Sequence, residues 1–189
     1  MAQQLNTLGL AHRFLAKQIK PGAFCIDATA GRGGDTAFLC GLVGPTGRVL
    51  AFDIQEDAVK STRERIETLG YGAVAQVVHA CHSRMADYAD PGSVDGVVFN
   101  FGWLPGGDHH IFTRPETSIA AIQSGLELLR PGGVMCLCIY AGGVSGYEER
   151  DALLEFLRGI DQRRYTVLLS QFWNRLNDPP IPVFLWKEA

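Results

Sequence analysis

The chain has no long apolar run among its 189 residues. Nothing approaches the roughly 20 consecutive apolar residues that a membrane-spanning helix needs. The first residues lack the continuous apolar stretch of a secretory signal. Neither a membrane span nor a signal peptide is expected. An excess of positive charge is missing as well: 17 basic residues against 20 acidic ones leave a net charge of -3. That balance argues against gripping nucleic acid through bulk charge and leaves only local basic patches for the purpose. Cysteine is scarce, and its count of 5 is odd, without the spacing of a disulfide framework. Cys136 and Cys138 stand two apart on a predicted strand, so they point to one face and are badly placed to bridge. All the cysteines are read as reduced, as expected of a cytoplasmic protein. Cys25, Cys40, Cys136 and Cys138 are expected as small core hydrophobes. Internal repeats, low-complexity tracts and linkers are absent too. The length then suits one domain, residues 1–189, with a sizeable core.

What is present is alternation. The opening stretch NTLGLAHRFLAKQIKPG repeats Leu8, Ala11, Leu15 and Ile19 at helical spacing. Asn6 or Thr7 can cap that helix, and Lys20, Pro21 and Gly22 stop it. AFCIDAT, GRVLAFDI, VAQVVHA, VDGVVFN and VMCLCIY are predicted strands. Between them GGDTAFLCGLV, QEDAVKSTRERIETLG, a short SRMADYA and RPETSIAAIQSGLELLRPGG are predicted helices, and YEERDALLEFLRGI follows the fifth strand as another. The end differs: YTVLLSQFWNR and PIPVFLWKE are strands joined by LNDPP with no helix between. The alternation predicts an α/β protein with a doubly wound, mostly parallel sheet of seven strands. The closing pair predicts an antiparallel C-terminal hairpin at one edge.

In such a sheet ligands bind beyond the carboxyl ends of the strands, near the topological switch. The loop after the first strand, DATAGRGGDT at residues 27–36, is therefore the first candidate. Gly31 and Gly33 let its backbone turn tightly and approach a ligand, and Thr29, Asp35 and Thr36 belong to the same loop and first helical turn. A dinucleotide loop of the form Gly-x-Gly-x-x-Gly would place a third glycine where Thr36 stands. A binder of S-adenosyl-L-methionine has no pyrophosphate to cradle and carries an acid at the end of the first strand. Asp27 fits that place and can receive the methionine amino group, directly or through water. Asp53, followed by Ile54 and Gln55, ends the second strand where a carboxylate accepts both ribose hydroxyls. Both cofactor classes want Asp53. Asp27, Thr36 and the edge hairpin favour the methyltransferase. HACHSRM, after the third strand, is expected to border the adenine, through Cys81, His82 or Ser83, unless Ser83 merely caps the helix that follows.

Three stretches together resemble one small family: DATAGRGGDTAFL, NFGWLPGGD followed by TRPET, and QFWNRLNDPP. That family was formerly labelled rRNA methylases, and its characterised bacterial members are the transfer-RNA 5-aminomethyl-2-thiouridine methyltransferases. The resemblance covers essentially the whole chain. It implies a Rossmann-like class I methyltransferase fold, S-adenosyl-L-methionine as donor, and the aminomethyl nitrogen of the transfer-RNA wobble uridine as acceptor. Composition and spacing by themselves do not name that substrate.

The resemblance also gives a purpose to NFGWLPGGDHH, residues 100–110, which a packed core does not need. Methyl transfer from a sulfonium is an in-line displacement, so the protein has mainly to align donor and acceptor. An aliphatic amine, with a pKa of roughly 10, must first lose its proton. Its nitrogen must then donate hydrogen bonds as positive charge develops. Asn100 is expected to offer a carbonyl for that bond, and Asp108 to take or stabilise the proton. Gly102 lets the loop approach the acceptor, and Trp103 stacks on a base or packs over the cofactor. Tyr140, at the end of the fifth strand, is expected to line the acceptor pocket. His109, His110, Arg114 and Arg150 are candidates for contacts to the RNA, with Arg13, Lys17, Arg163 and Arg164 as further cations to test. No metal is expected, because the histidines lack a zinc-site framework. Two other classes stay open: a methyltransferase for rRNA or a small-molecule amine, and a non-catalytic nucleotide-binding scaffold. The exposed edge hairpin leaves room for a homodimer.

Overall fold

The computed structural model of the chain describes residues 5–102, 113–141 and 146–189. Helix α1, Thr7–Gln18, begins where the extended Asn6 accepts the Gly9 amide on its side chain at 2.7 Å. That bond satisfies one of the free amides of the first turn. β1 (Phe24–Asp27), α2 (Gly34–Val43), β2 (Arg48–Asp53), α3 (Glu56–Thr68) and β3 (Ala75–His79) follow in strict alternation. The predicted SRMADYA helix is a 3-10 turn, His82–Asp87. Then come β4 (Val94–Phe101), α4 (Pro115–Leu128), β5 (Leu129–Ile139), α5 (Gly146–Arg158), β6 (Tyr165–Leu169) and β7 (Ile181–Lys187).

The strands form one seven-stranded sheet in the order β3-β2-β1-β4-β5-β7-β6. β1 pairs in parallel with β2 on one side and β4 on the other. Successive strands therefore step outward from β1 in both directions, and the loops after β1 and β4 meet at the switch, where a doubly wound sheet has its ligand crevice. β7 lies antiparallel between β5 and β6. The hairpin sits at one edge as expected, with β6 outermost.

Two boundaries differ from the sequence expectation. The fourth helix stops at Leu128, and β5 already begins at Leu129. Pro131 cannot continue a helix, and Leu129 pairs with Val94, beyond which the β4–β5 register shifts. The sixth strand stops at Leu169 instead of running through Arg175. Leu169 is opposite Val183, a register that would set Phe172 and Trp173 against Pro180 and Pro179. Prolines have no amide hydrogen to give to the ladder.

Core side chains fill both faces of the sheet. Ile26, Leu50, Phe52, Phe99 and Phe101 face Met85, Ile122 and Leu126 on one side. Cys25, Cys136 and Cys138 pack with Leu15, Leu39, Cys40 and Phe184 on the other. Each such burial contributes about 1.5–3 kcal/mol. The cysteines are free thiols, four of them in the core as expected. No helix among the described residues is long and apolar enough to cross a membrane.

The entry to α2 is sterically tight. Its cap, Gly33, has φ 75°, and a Cβ added there would sit 3.1 Å from the Thr62 Cα of α3. The neighbouring Gly34 has nothing within 4 Å of such an atom. Gly33→Ala is expected to destabilise the fold by about 1–3 kcal/mol. Gly34→Ala should be neutral or stabilise by up to about 1 kcal/mol. Denaturant titration of the two variants checks the opposite signs.

Candidate functional site

Asp27 closes β1 and is fully buried. Its carboxyl accepts the Thr36 hydroxyl at 2.6 Å and the Thr29 amide at 3.2 Å. Burial first, and the charge of Asp35 second, push its pKa up to about 7. The group thus holds the loop to the start of α2, with each oxygen taking one hydrogen bond from the protein. Between Thr29 and Thr36 the chain passes through Gly31, whose φ is 54°.

Asp53 braces the adjoining loop. One oxygen accepts the Gly31 amide and the other the Gln55 amide, both at 2.9 Å. Each carboxylate oxygen can accept a second hydrogen, so the pair retains capacity for two ligand hydroxyls. Ile54 beside it is an apolar side chain left 51% exposed, held by a bond between the His79 ring and its own carbonyl at 2.9 Å. An acceptor pair with an uncovered apolar surface next to it suits a ribose joined to a flat base.

The end of β4 is tied to the same loop. The Asn100 amide donates to the Thr29 hydroxyl at 2.7 Å. Its side-chain Nδ2 donates to Asp35 Oδ2 at 2.6 Å. The other Asp35 oxygen meets His12 Nε2 of α1 at 2.6 Å, and the His12 ring stacks on Phe38. Gly102, two residues on, lies against Tyr140: a Cβ built on it would be 3.6 Å from the Tyr140 Cβ. Burial, then Cys138 and Asp35, push the Tyr140 hydroxyl up to about 12, so it stays a neutral donor at physiological pH.

A second buried carboxyl anchors the chain just past β4. Glu149 of α5 accepts Thr113 Oγ1 and Ser118 Oγ, each at 2.7 Å. Thr113 in turn receives the Gly102 amide at 2.8 Å on that same hydroxyl. Burial raises the Glu149 pKa, against the lowering effect of its two hydroxyl partners. Glu149 and His12 are the residues that sequence reading misses. YEER reads as a solvated helix start and AHRF as a polar helix face; neither carries a local signal of its distant partner.

Other expected positions fall differently. The His82 ring is buried edge-on against Phe99 and Phe101, and burial pulls its pKa down to about 4. It is a neutral core ring. Ser83 does not cap its helix; its hydroxyl donates to Cys81 Sγ at 3.1 Å. Arg150 is paired with Asp151 at 2.7 Å, with its guanidinium over the Tyr147 ring. Arg114 is the residue preceding α4, exposed on the side of the sheet where β4 ends. Trp103, Asp108, His109 and His110 lie outside the described residues.

Asp27 and His82 have opposite pH linkages. A carboxyl raised from 3.8 to about 7 favours the fold below its unfolded value, and that contribution is lost as pH rises through about 7. An imidazole lowered from 6.5 to about 4 contributes above its unfolded value and loses that contribution as pH falls through about 4. The two oppose each other where they overlap. Asp27→Asn keeps an acceptor for Thr36 and removes only the first. The difference in thermal midpoint between Asp27→Asn and wild type should therefore grow in the variant's favour from about pH 4 to about pH 7. A constant difference across that range would mean that Asp27 titrates as an ordinary carboxyl.

A family model described as "Putative rRNA methylase" matches residues 49–186. The "tRNA (mnm(5)s(2)U34)-methyltransferase, chloroplastic" of Arabidopsis thaliana is 33% identical over 187 residues, covering 94% of this chain and 68% of that protein. A crystal structure of a "putative rRNA-methylase" from Clostridium thermocellum is 43% identical, with a TM-score of 0.95 over 98% of this chain and 99% of the other. A "putative methyltransferase" from Streptococcus mutans, solved in complex with SAH, is 34% identical, with a TM-score of 0.87 over 98% of this chain and 99% of the other. With the donor loop and strand order described above, these matches make the chain a member of the rRNA methylase family, within the class I S-adenosylmethionine-dependent methyltransferases.

Proposed function

We propose that the protein methylates the exocyclic aminomethyl nitrogen of the wobble uridine in transfer RNA. The observation that carries this reading is the likeness, across 94% of the chain, to the Arabidopsis protein of that activity by name. The geometry at the end of β4 supports it, because Asn100 offers a side-chain carbonyl next to the donor loop. When bound, S-adenosylmethionine supplies an electrophilic methyl on a sulfonium. Asp53 accepts the ribose hydroxyls, and Ile54 and Gln55 border the base. Thr29, Gly31, Gly33 and the backbone amides of the first turn of α2, with the Asp27 and Thr36 side chains behind them, take the methionine end.

The chain's own task is alignment and proton handling. Asn100 accepts a hydrogen from the amine and keeps its lone pair aimed at the donor. Asp108 receives the amine's proton before transfer, and Tyr140 walls the pocket. Trp103, His109, His110, Arg114 and Arg150 contact the RNA around the wobble uridine. The net charge of -3 places the burden of RNA binding on such local groups.

The test is methyl transfer from labelled donor to transfer RNA with and without the 5-aminomethyl group. Transfer is expected to the first only, with both bound in a salt-dependent way. Equal or better transfer to ribosomal RNA would support the other acceptor that the family description names. Asp53→Ala should weaken donor binding by on the order of 1.5–3 kcal/mol while leaving the fold intact. Calorimetry with S-adenosylmethionine reads that loss, and an unchanged affinity would remove Asp53 from the donor site.

A further inference from the structure

We propose that His12 and Asp35 are positioning residues that lock the side-chain amide of Asn100, so that its carbonyl faces the nucleophile and the site accepts only a nitrogen that still carries a hydrogen. The inference rests on the methyl-transfer reading above and concerns how its acceptor is chosen.

The two ends of an asparagine amide are nearly the same shape, and what surrounds them decides which way it points. Here the deciding group is a carboxylate, which only accepts. Asn100 Nδ2 lies 2.6 Å from Asp35 Oδ2. The flipped amide would set oxygen against oxygen at that distance, so the amino group is forced toward Asp35. The backbone of Asn100 is held separately, by the hydrogen bond that its N–H donates to the Thr29 hydroxyl. Among the described residues Asn100 Oδ1 has no hydrogen-bond partner, so none of them competes with a substrate for it.

Asp35 is itself held on its other side. It is 8% exposed, and its second oxygen meets His12 Nε2 at 2.6 Å. The His12 ring is fixed by stacking on Phe38, with centroids 3.8 Å apart and planes 8° from parallel. Phe38 and Asp35 both belong to α2, so α1 clamps the residue through a ring contact and a hydrogen bond together. The chain His12–Asp35–Asn100 thus runs from α1 through α2 to the end of β4. A negative group behind the amide also polarises it, which strengthens the carbonyl as an acceptor while positive charge builds on the nucleophile.

The chemical consequence is a selection rule. A carbonyl can orient an exocyclic amine, whose N–H remains after its excess proton is gone. It repels a ring nitrogen that has only a lone pair. That rule fits the neutral exocyclic amine of the proposed reaction, and it excludes ring nitrogens without hydrogen by the orientation of one amide.

The test uses the full chain with 15N label. In wild type one Nδ2 proton of Asn100 should resonate downfield of a free amide, and in Asp35→Ala it should move to the free-amide position. His12→Phe keeps the ring stack and loses the hydrogen bond; it should give an intermediate shift, and His12→Gln should restore it. Single-turnover methyl transfer should fall roughly 10- to 100-fold in Asp35→Ala, with donor affinity by calorimetry changed less than about threefold. His12→Gln should recover most of what His12→Phe loses. An Asn100 signal indifferent to both sites overturns the lock, as does a loss of donor affinity equal to the loss of rate, which would make Asp35 a cofactor ligand. Should Asp35→Ala not fold, the His12 pair decides by the same readouts. The amide signal and the calorimetry need no RNA. A wild type that fails on transfer RNA therefore refutes the acceptor reading and leaves the lock to be judged on its own.

Discussion

The tie between the end of β4 and the loop after β1 is the constraint on which the site depends. In-line methyl transfer tolerates little misalignment, because most of the rate comes from holding the reacting atoms near their collision geometry. The loop after β1 and the end of β4 belong to different strands, and three hydrogen bonds join them. The Ala28 amide reaches the Val98 carbonyl at 2.9 Å, the Asn100 amide reaches Thr29, and the Asn100 side chain reaches Asp35. The first is part of the sheet, and the other two extend its ladder by side chains just where the backbone pairing ends. Asn100 is thereby fixed directly to the loop after β1.

That rigidity has an electrostatic cost, visible in the buried acids. Asp27, Asp35 and Glu149 are all withdrawn from water, and a buried carboxylate is tolerated only with good hydrogen-bond donors. Each has them: Thr36 and Thr29 for Asp27, Asn100 and His12 for Asp35, Thr113 and Ser118 for Glu149. Two of the three lie at the switch point, where the charge of one raises the pKa of the other. Acids shifted by burial and by a charged neighbour cluster at functional sites, and buried structural networks shift them as well. Glu149 performs a different task. It binds Thr113 and Ser118 at the far end of the strand-four segment, while Thr113 reaches back to Gly102. Gly102 and Thr113 are thus fastened to each other and, through Thr113, to Glu149.

Much of the molecule is decided locally and was legible as such. Helical spacing from Leu8 to Ile19, capped by Asn6, is a property of consecutive residues, and α1 forms where that spacing begins. Alternating apolar runs specify a parallel sheet, because a crossover helix must lie between strands that run the same way. The helix-free closing pair specifies an antiparallel hairpin for the same reason. Asp53 is recognisable because a strand end and a glycine loop a fixed number of residues apart converge in this fold. Where the local reading ran long, in QFWNR and LRPGG, the deciding fact was a proline facing or interrupting an element.

Tertiary structure alone decided what the polar side chains do. His12 meets Asp35 across 23 residues, Ser118 meets Glu149 across 31, and Asn100 meets Asp35 across 65. No periodicity encodes such pairs: Asn100 and Asp35 stand out in the sequence as site candidates, but nothing local says that they meet, and His12, Ser118 and Glu149 look like ordinary helix residues. The same holds for His82, whose place after a strand suggested the cleft and whose ring the 3-10 turn directs into the core against Phe99 and Phe101. The sequence by itself determined the strands and their relative directions and singled out Asp27 and Asp53 as candidate acids, because hydrophobic period and loop chemistry are local. The orientation of the Asn100 amide was settled only by the fold, because it depends on which oxygen of a distant carboxylate is left to receive it.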